Sequence, residues 1–155
     1  MKSLFSLLLG MVMALAAQGS FAQTSPAIKD FDETTWAQLL QTGPRPAAYL
    51  FTTSYCSTCP EAFAKLAAAV AHKPPGIPLV AVMMDVSGAQ ALRHAGHFHG
   101  MTQMYAFDGF EPAIRQSVDP AWPNITPYIV LIDRKGRVQH FIGPPQPKAL
   151  KAWLG

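Results

Sequence analysis

The segment AAYLFTTSYCSTCPEAFAKLAAA, residues 47–69, leaves the chain the least freedom in how it can fold. Its first seven residues, Ala47 to Thr53, form a short apolar and β-branched run that suits a buried strand. From about Ser57 to His72 the chain turns rich in Ala, Leu and Lys, which predicts a helix. The only two cysteines, Cys56 and Cys59, fall where strand gives way to helix, and Pro60 follows directly. A proline in the first helical turn gives up an N–H that has no partner there anyway. Three uses are open to such a pair: a structural bridge, a metal clamp or a working dithiol. A bridge across a two-residue loop removes little entropy from the unfolded chain, so it contributes little as a staple.

Around this segment the pattern alternates. DETTWAQLLQT, residues 32–42, places Trp36, Leu39 and Leu40 at helical spacing, and GPRP then breaks the run. After the turn HKPPGIP comes a second buried strand, PLVAVMMDV at 78–86, and GAQALRHAGHFHG at 88–100 has helical character up to its glycine. The stretch 101–124 is the least regular, with a short strand around 104–107 and a helix over 111–118. TPYIVLID and RVQHFIG, joined by RKG, predict a hairpin, and PKALKAWL a closing helix. Strand, helix, strand gives a parallel pair and the hairpin adds antiparallel strands, so the expected architecture is α/β with a mixed central sheet flanked by helices.

The first 22 residues carry Lys2, an apolar run from about Leu4 to Ala17, and small and polar residues ending Ser20-Phe21-Ala22, the pattern of a secretory signal peptide cleaved after Ala22. The run is shorter than the roughly 20 residues that span a bilayer. No cysteine follows it to take a lipid, so no stable membrane insertion is expected after cleavage. Residues 23–31 read as a flexible lead and 32–155 as a single domain, within the 133 residues that remain. Once Lys2 is removed, eleven Lys and Arg face nine Asp and Glu, a scattered balance of +2 that gives no case for nucleic acid. Export implies a periplasmic or secreted protein in a compartment where disulfides persist.

A strand that delivers C-x-x-C to a helix, Thr126-Pro127 before the next-to-last strand, and a terminal hairpin plus helix resemble the thioredoxin superfamily. TPYIVLIDRKGRV is similar to the exported, TlpA-like thiol-disulfide oxidoreductases. The resemblance spans about residues 32–154 and implies a thioredoxin-like fold in which Cys56 is the attacking thiol and Cys59 resolves the mixed disulfide. Helix-start thiols of this kind titrate at roughly 3.5 to 7.5 rather than about 8.5. It also implies a cis Pro127 against the dithiol, a Thr126 backbone that pairs with substrate, and Tyr55 at the substrate face. The partners implied are exported protein thiols or disulfides and a redox partner protein, with no cofactor. Reductant in cytochrome or copper-site maturation is one such role. The chain differs from the thioredoxin pattern in having Tyr55 where Trp is usual and no carboxylate in the strand before the cysteines. Glu61 is the only acid near them in sequence, and two roles are open to it: favouring the helix dipole or transferring protons.

A rival reading is an SCO-like copper chaperone, since CSTCP is similar to that family's cysteine pair and proline. That family has three residues between its cysteines and a histidine before the final hairpin; here there are two, and the stretch reads PNITP. Imidazole and thioether ligands are present in His94, His97 and His99 with Met83, Met84, Met101 and Met104, and His94 and His97 share a helix face if that segment is helical. The dithiol reading itself assigns no metal ligand. A third class, a binding module that keeps only the fold, fits poorly with an intact C-x-x-C.

Overall fold

A computed structural model describes residues 27–73 and 76–155; the signal-peptide reading of residues 1–22 lies outside them. In chain order the elements are β1 (Lys29–Phe31), α1 (Thr35–Thr42), β2 (Ala47–Thr52), α2 (Cys59–Val70), β3 (Leu79–Met83), α3 (Gly88–His94) with a 3-10 turn at Ala95–His97, β4 (Gln103–Phe107), α4 (Glu111–Val118), β5 (Tyr128–Ile132), β6 (Val138–Ile142) and α5 (Pro147–Leu154). The six strands form one sheet in the order β1-β4-β3-β2-β5-β6. From β1 to β2 the pairings are parallel, and β5 and β6 run antiparallel. The mixed sheet with helices on both faces is the thioredoxin-like α/β architecture, with the cysteines between β2 and α2.

Every residue of β2 is buried because both its faces are covered, which is why it reads as an unbroken apolar run. Ala48 and Leu50 point into a core with Phe63 and Leu66 of α2 and Trp153 of α5. Tyr49 and Phe51 point into the opposite core, with Trp36 of α1 and Ile114 of α4. Helix α2 buries Cys59, Ala62, Phe63 and Leu66, one stripe at the spacing a single helix face requires. Trp153 donates its indole N–H to the Ile132 carbonyl at 2.8 Å, which ties α5 to β5.

Near the start of the described chain two boundaries differ from the sequence reading. The flexible lead assigned to 23–31 is structured at its end: β1 pairs with β4, and Phe31 is fully buried against Tyr105 and Phe107, ring centroids 5.7 Å away in each case. Lys29 and Asp30 are exposed, so one buried ring, too short for a periodicity, holds this strand. Helix α1 starts at Thr35 rather than at 32. Asp32 is its entry turn, its carboxylate accepting the backbone N–H groups of Thr34 and Thr35 at 2.8 and 2.9 Å. Hydroxyl bonds from those two threonines, added to the backbone bonds, hold Asp32 down to about 2.

The irregular stretch after α4 is folded around Tyr128. Its ring is stacked on Trp122 at 4.1 Å and on His140 at 5.9 Å, and its hydroxyl donates to Asp119. Trp122 in turn donates to the Ile125 carbonyl at 3.2 Å. These contacts run along 119–128, and the Thr126–Pro127 bond within this stretch is cis. The hairpin between β5 and β6 closes through the Asp133 carboxylate, which accepts the N–H groups of Lys135 and Arg137, with Gly136 at φ +78°.

Phe31→Ala should lower unfolding free energy by about 3 to 5 kcal/mol in urea titration; an unchanged midpoint would return residues 29–31 to the lead. A second test concerns Asp119. Burial pushes its carboxyl up, but the Tyr128 hydroxyl, the Ala121 N–H and His140 outweigh that and hold it below the usual range. A depressed carboxyl contributes stability at neutral pH that is lost as pH falls through the carboxylate range. Tyr128→Phe should therefore cost about 1.5 to 3 kcal/mol near pH 7 and clearly less near pH 3. An equal cost at both would show that the hydroxyl does not serve the ionised Asp119.

Candidate functional site

The chain leaves β2 at Thr52, passes through an exposed turn and enters α2 at Cys59. Cys56 and Cys59 are joined in a disulfide with Cα atoms 5.5 Å apart. The helix begins two residues later than the sequence predicts, because Thr58 is the N-cap and Pro60 occupies the first turn. The turn is set by backbone bonds from Cys56 N–H to the Thr53 carbonyl at 3.2 Å and from Cys59 N–H to the Cys56 carbonyl at 3.3 Å. The two sulfurs differ in setting: Cys59 is wholly enclosed in the core, whereas Cys56 is half-buried and lines a cavity of about 300 Å³.

That cavity is built from several elements. Tyr55, Cys56, His94 and His97 line it, together with the buried Met83 and Phe98. Thr53 also lines it; its Oγ1 is buried and has no hydrogen-bond partner among the described residues. Asp85, just past β3, anchors the turn from below: its carboxylate accepts the Ser54 N–H at 2.9 Å and the Ser54 hydroxyl at 2.6 Å. Sequence reasoning passed over Asp85, although its position directly after a buried strand marks it as a loop anchor. Of the two hydroxyls between the cysteines, Thr58 Oγ1 lies 3.9 Å from Cys56 Sγ.

Tyr55 stands 79% exposed beside Cys56. Thr126 and Pro127 directly precede β5, whose first residue, Tyr128, pairs with Phe51. They therefore lie beside the end of β2, where the cysteine turn begins. The Pro127 carbonyl accepts the Gly143 N–H at 2.8 Å, joining it to the strand beyond. Glu61 is not brought to the site. It lies two residues past Cys59, about 200° around α2 from the buried face, and pairs with Lys65 at 2.9 Å with its side chain 73% exposed. The Lys65 hydrogen bond and then its charge hold the Glu61 carboxyl below its usual range. An acid so placed supports the first turn of α2.

The other soft ligands divide. His94 and His97 have ring centroids 5.9 Å apart. His99 lies outside the cysteine cavity, in a shallow depression shared with His97 and Pro60. Met84 and Met104 belong to opposite cores, as expected of strand residues. Among the described residues no group of three or more His, Cys, Asp or Glu is arranged to hold a metal ion, and no helix is long and apolar enough to cross a membrane.

No protein-family model matches the chain, and no curated protein does either. Among solved structures it is similar to a secreted Mycobacterium tuberculosis disulfide oxidoreductase homologous to E. coli DsbE, at 16% identity and TM-score 0.49 over 70% of this chain and 78% of that one. StoA from Bacillus subtilis is similar at 21% identity and TM-score 0.45, covering 70% and 81%. The thioredoxin domain of a thiol-disulfide oxidoreductase from Bacteroides vulgatus matches at 14% identity and TM-score 0.49, covering 70% and 75%. The thioredoxin-like fold rests on the strand order and on the cysteines at the β2–α2 junction rather than on these likenesses.

Proposed function

We propose that the protein is a thiol-disulfide oxidoreductase that exchanges disulfides with exported client proteins through Cys56 and Cys59. The observation that carries this reading is the asymmetry of the bonded pair: Cys56 faces an open cavity while Cys59 is enclosed behind it. Exchange requires one sulfur that a client can reach and a second that acts only after the first is engaged. In the reduced protein the Cys56 thiolate attacks a client disulfide and releases one client thiolate. Cys59 then attacks the Cys56 sulfur of the mixed disulfide, releasing the second and leaving the 56–59 disulfide. Run in reverse, the same steps oxidise a client dithiol.

Cys56 precedes the N-cap of α2, where unpaired N–H groups and the positive end of the helix favour a thiolate. Tyr55 on one side and Thr126-Pro127 on the other are the residues proposed to contact the client backbone. The signal-like residues 1–22 support work in the periplasm or outside the cell, with reduction during cytochrome or copper-site maturation as the specific role and a second redox protein to reset the pair.

Cys59→Ser leaves the attacking thiol but removes the group that releases the client, so mixed disulfides should accumulate in exported extracts on non-reducing gels. Cys56→Ser and the double variant should trap none through residue 56. If abundant, folded Cys59→Ser protein traps nothing, the oxidoreductase reading fails.

A further inference from the structure

An opposite charge stabilises a half-buried thiolate, and among the described residues no carboxylate lines the Cys56 cavity. β2 holds no acid, Glu61 is paired with Lys65 on the outer face of α2, and Asp85 is committed to Ser54. What the lining of that cavity does contain, besides Cys56, is two imidazoles, His94 and His97. We propose that His94 and His97 together form the charge partner of the Cys56 thiolate and take up the proton it releases. This rests on the oxidoreductase reading and adds to it the group that handles the proton.

The placement follows from the chain. His94 is the last residue of α3 and His97 ends the 3-10 turn that continues it, so residues three apart fall on the same side, and both line the cavity that Cys56 lines. His94 sits in the last turn of α3, an end that favours a cation. The two ring centroids are 5.9 Å apart, and since like charges that close repel, we assign one positive charge to the pair. The surroundings leave that charge to them. Arg93 is turned to the Ala89 carbonyl at 3.4 Å, and Asp85 lies under the turn, bound to Ser54. Tyr55 is the remaining titratable group on the cavity wall, and His99 lies beyond it, beside His97. Thr53 Oγ1, buried and without a hydrogen-bond partner among the described residues, lines the same cavity.

The steps balance. In the reduced protein the Cys56 Sγ proton passes to an imidazole nitrogen, giving thiolate and imidazolium. The thiolate forms a bond to one sulfur of the client disulfide, the client S–S bond breaks, and the departing client thiolate takes the proton from the imidazolium. Imidazole is suited to this because its charge changes between about pH 5 and 8.

The test uses the full chain, reduced, as His94→Gln/His97→Gln and as His94→Lys/His97→Gln. Thiolate absorbance and the initial iodoacetamide rate at Cys56, located by peptide mapping, are followed from about pH 5 to 8. Near pH 6 the thiolate fraction of the double Gln variant should fall about tenfold, the equivalent of one titration unit. Alkylation should slow only about threefold, because a more basic thiolate is intrinsically more reactive. The Lys variant should recover both. His97 is exposed and His94 half-buried, and His97→Gln alone, which leaves α3 untouched, should give a smaller shift in the same direction. Titration curves that coincide in wild type and both Gln variants would overturn the proposal. Cys56 titration needs no client, so that result would leave the oxidoreductase reading standing. A wild-type protein that shows the His effect yet exchanges with no disulfide would instead sink the oxidoreductase reading alone.

Discussion

Phe51 is the interaction on which the rest of the structure depends. Its ring meets Phe31 of β1 at 5.6 Å, Trp36 of α1 at 6.4 Å, Phe107 of β4 at 6.3 Å, Trp122 of the irregular stretch at 5.0 Å and Tyr128 of β5 at 6.4 Å. Edge-on and tilted aromatic pairs of this kind each contribute about 0.5 to 1.5 kcal/mol beyond their area. One side chain thus joins the added edge strand, a flanking helix and the loop that leads to Pro127. It also sits one residue from the end of β2, so the same packing fixes where the cysteine turn starts.

From that fixed point the site is built by short-range bonds. Cys59 is held as part of the α2 stripe, and Asp85 holds the turn through Ser54. Cys56 lies between the two anchors, supported by backbone bonds but open to the cavity. The result is a pair whose members are unequal by construction, one packed like a core residue and one presented. α3 and the 3-10 turn after it bring His94 and His97 into the lining of the same cavity.

Elements with a strong periodicity were legible in the sequence. β2 and β3 read as apolar runs, α2 as a stripe, α4 at 111–118 as observed, and the β5-β6 hairpin through its RKG turn. β1 was not, because a strand of three residues with one buried ring has no period to detect. β4 was faint because it alternates Met104 and Ala106, facing one core, with half-buried Gln103, Tyr105 and Phe107, and only pairing on both sides makes it a strand. The helix read at 88–100 shortens at His94 and tightens into a 3-10 turn. At the site, Cys56 and Cys59 announced themselves by spacing, but their neighbours did not. Asp85 reaches Ser54 across 31 residues, and the histidines meet the cysteine cavity only through the fold. Glu61 is the converse case: near the dithiol in sequence, with a helix-dipole and a proton-transfer role both open to it, it pairs with Lys65 on the exposed side of α2.

The central claim is that the Cys56–Cys59 pair is a working redox couple and not a fixed bridge. Equilibrating the full chain in glutathione buffers of graded ratio, and measuring the fraction of protein with the pair bonded after acid quench, tests this directly. The account predicts a reversible transition, approached equally from the oxidised and reduced protein, at a potential above about −300 mV. A pair that stays bonded across the series, with a potential below that value, would behave as a structural disulfide and contradict it.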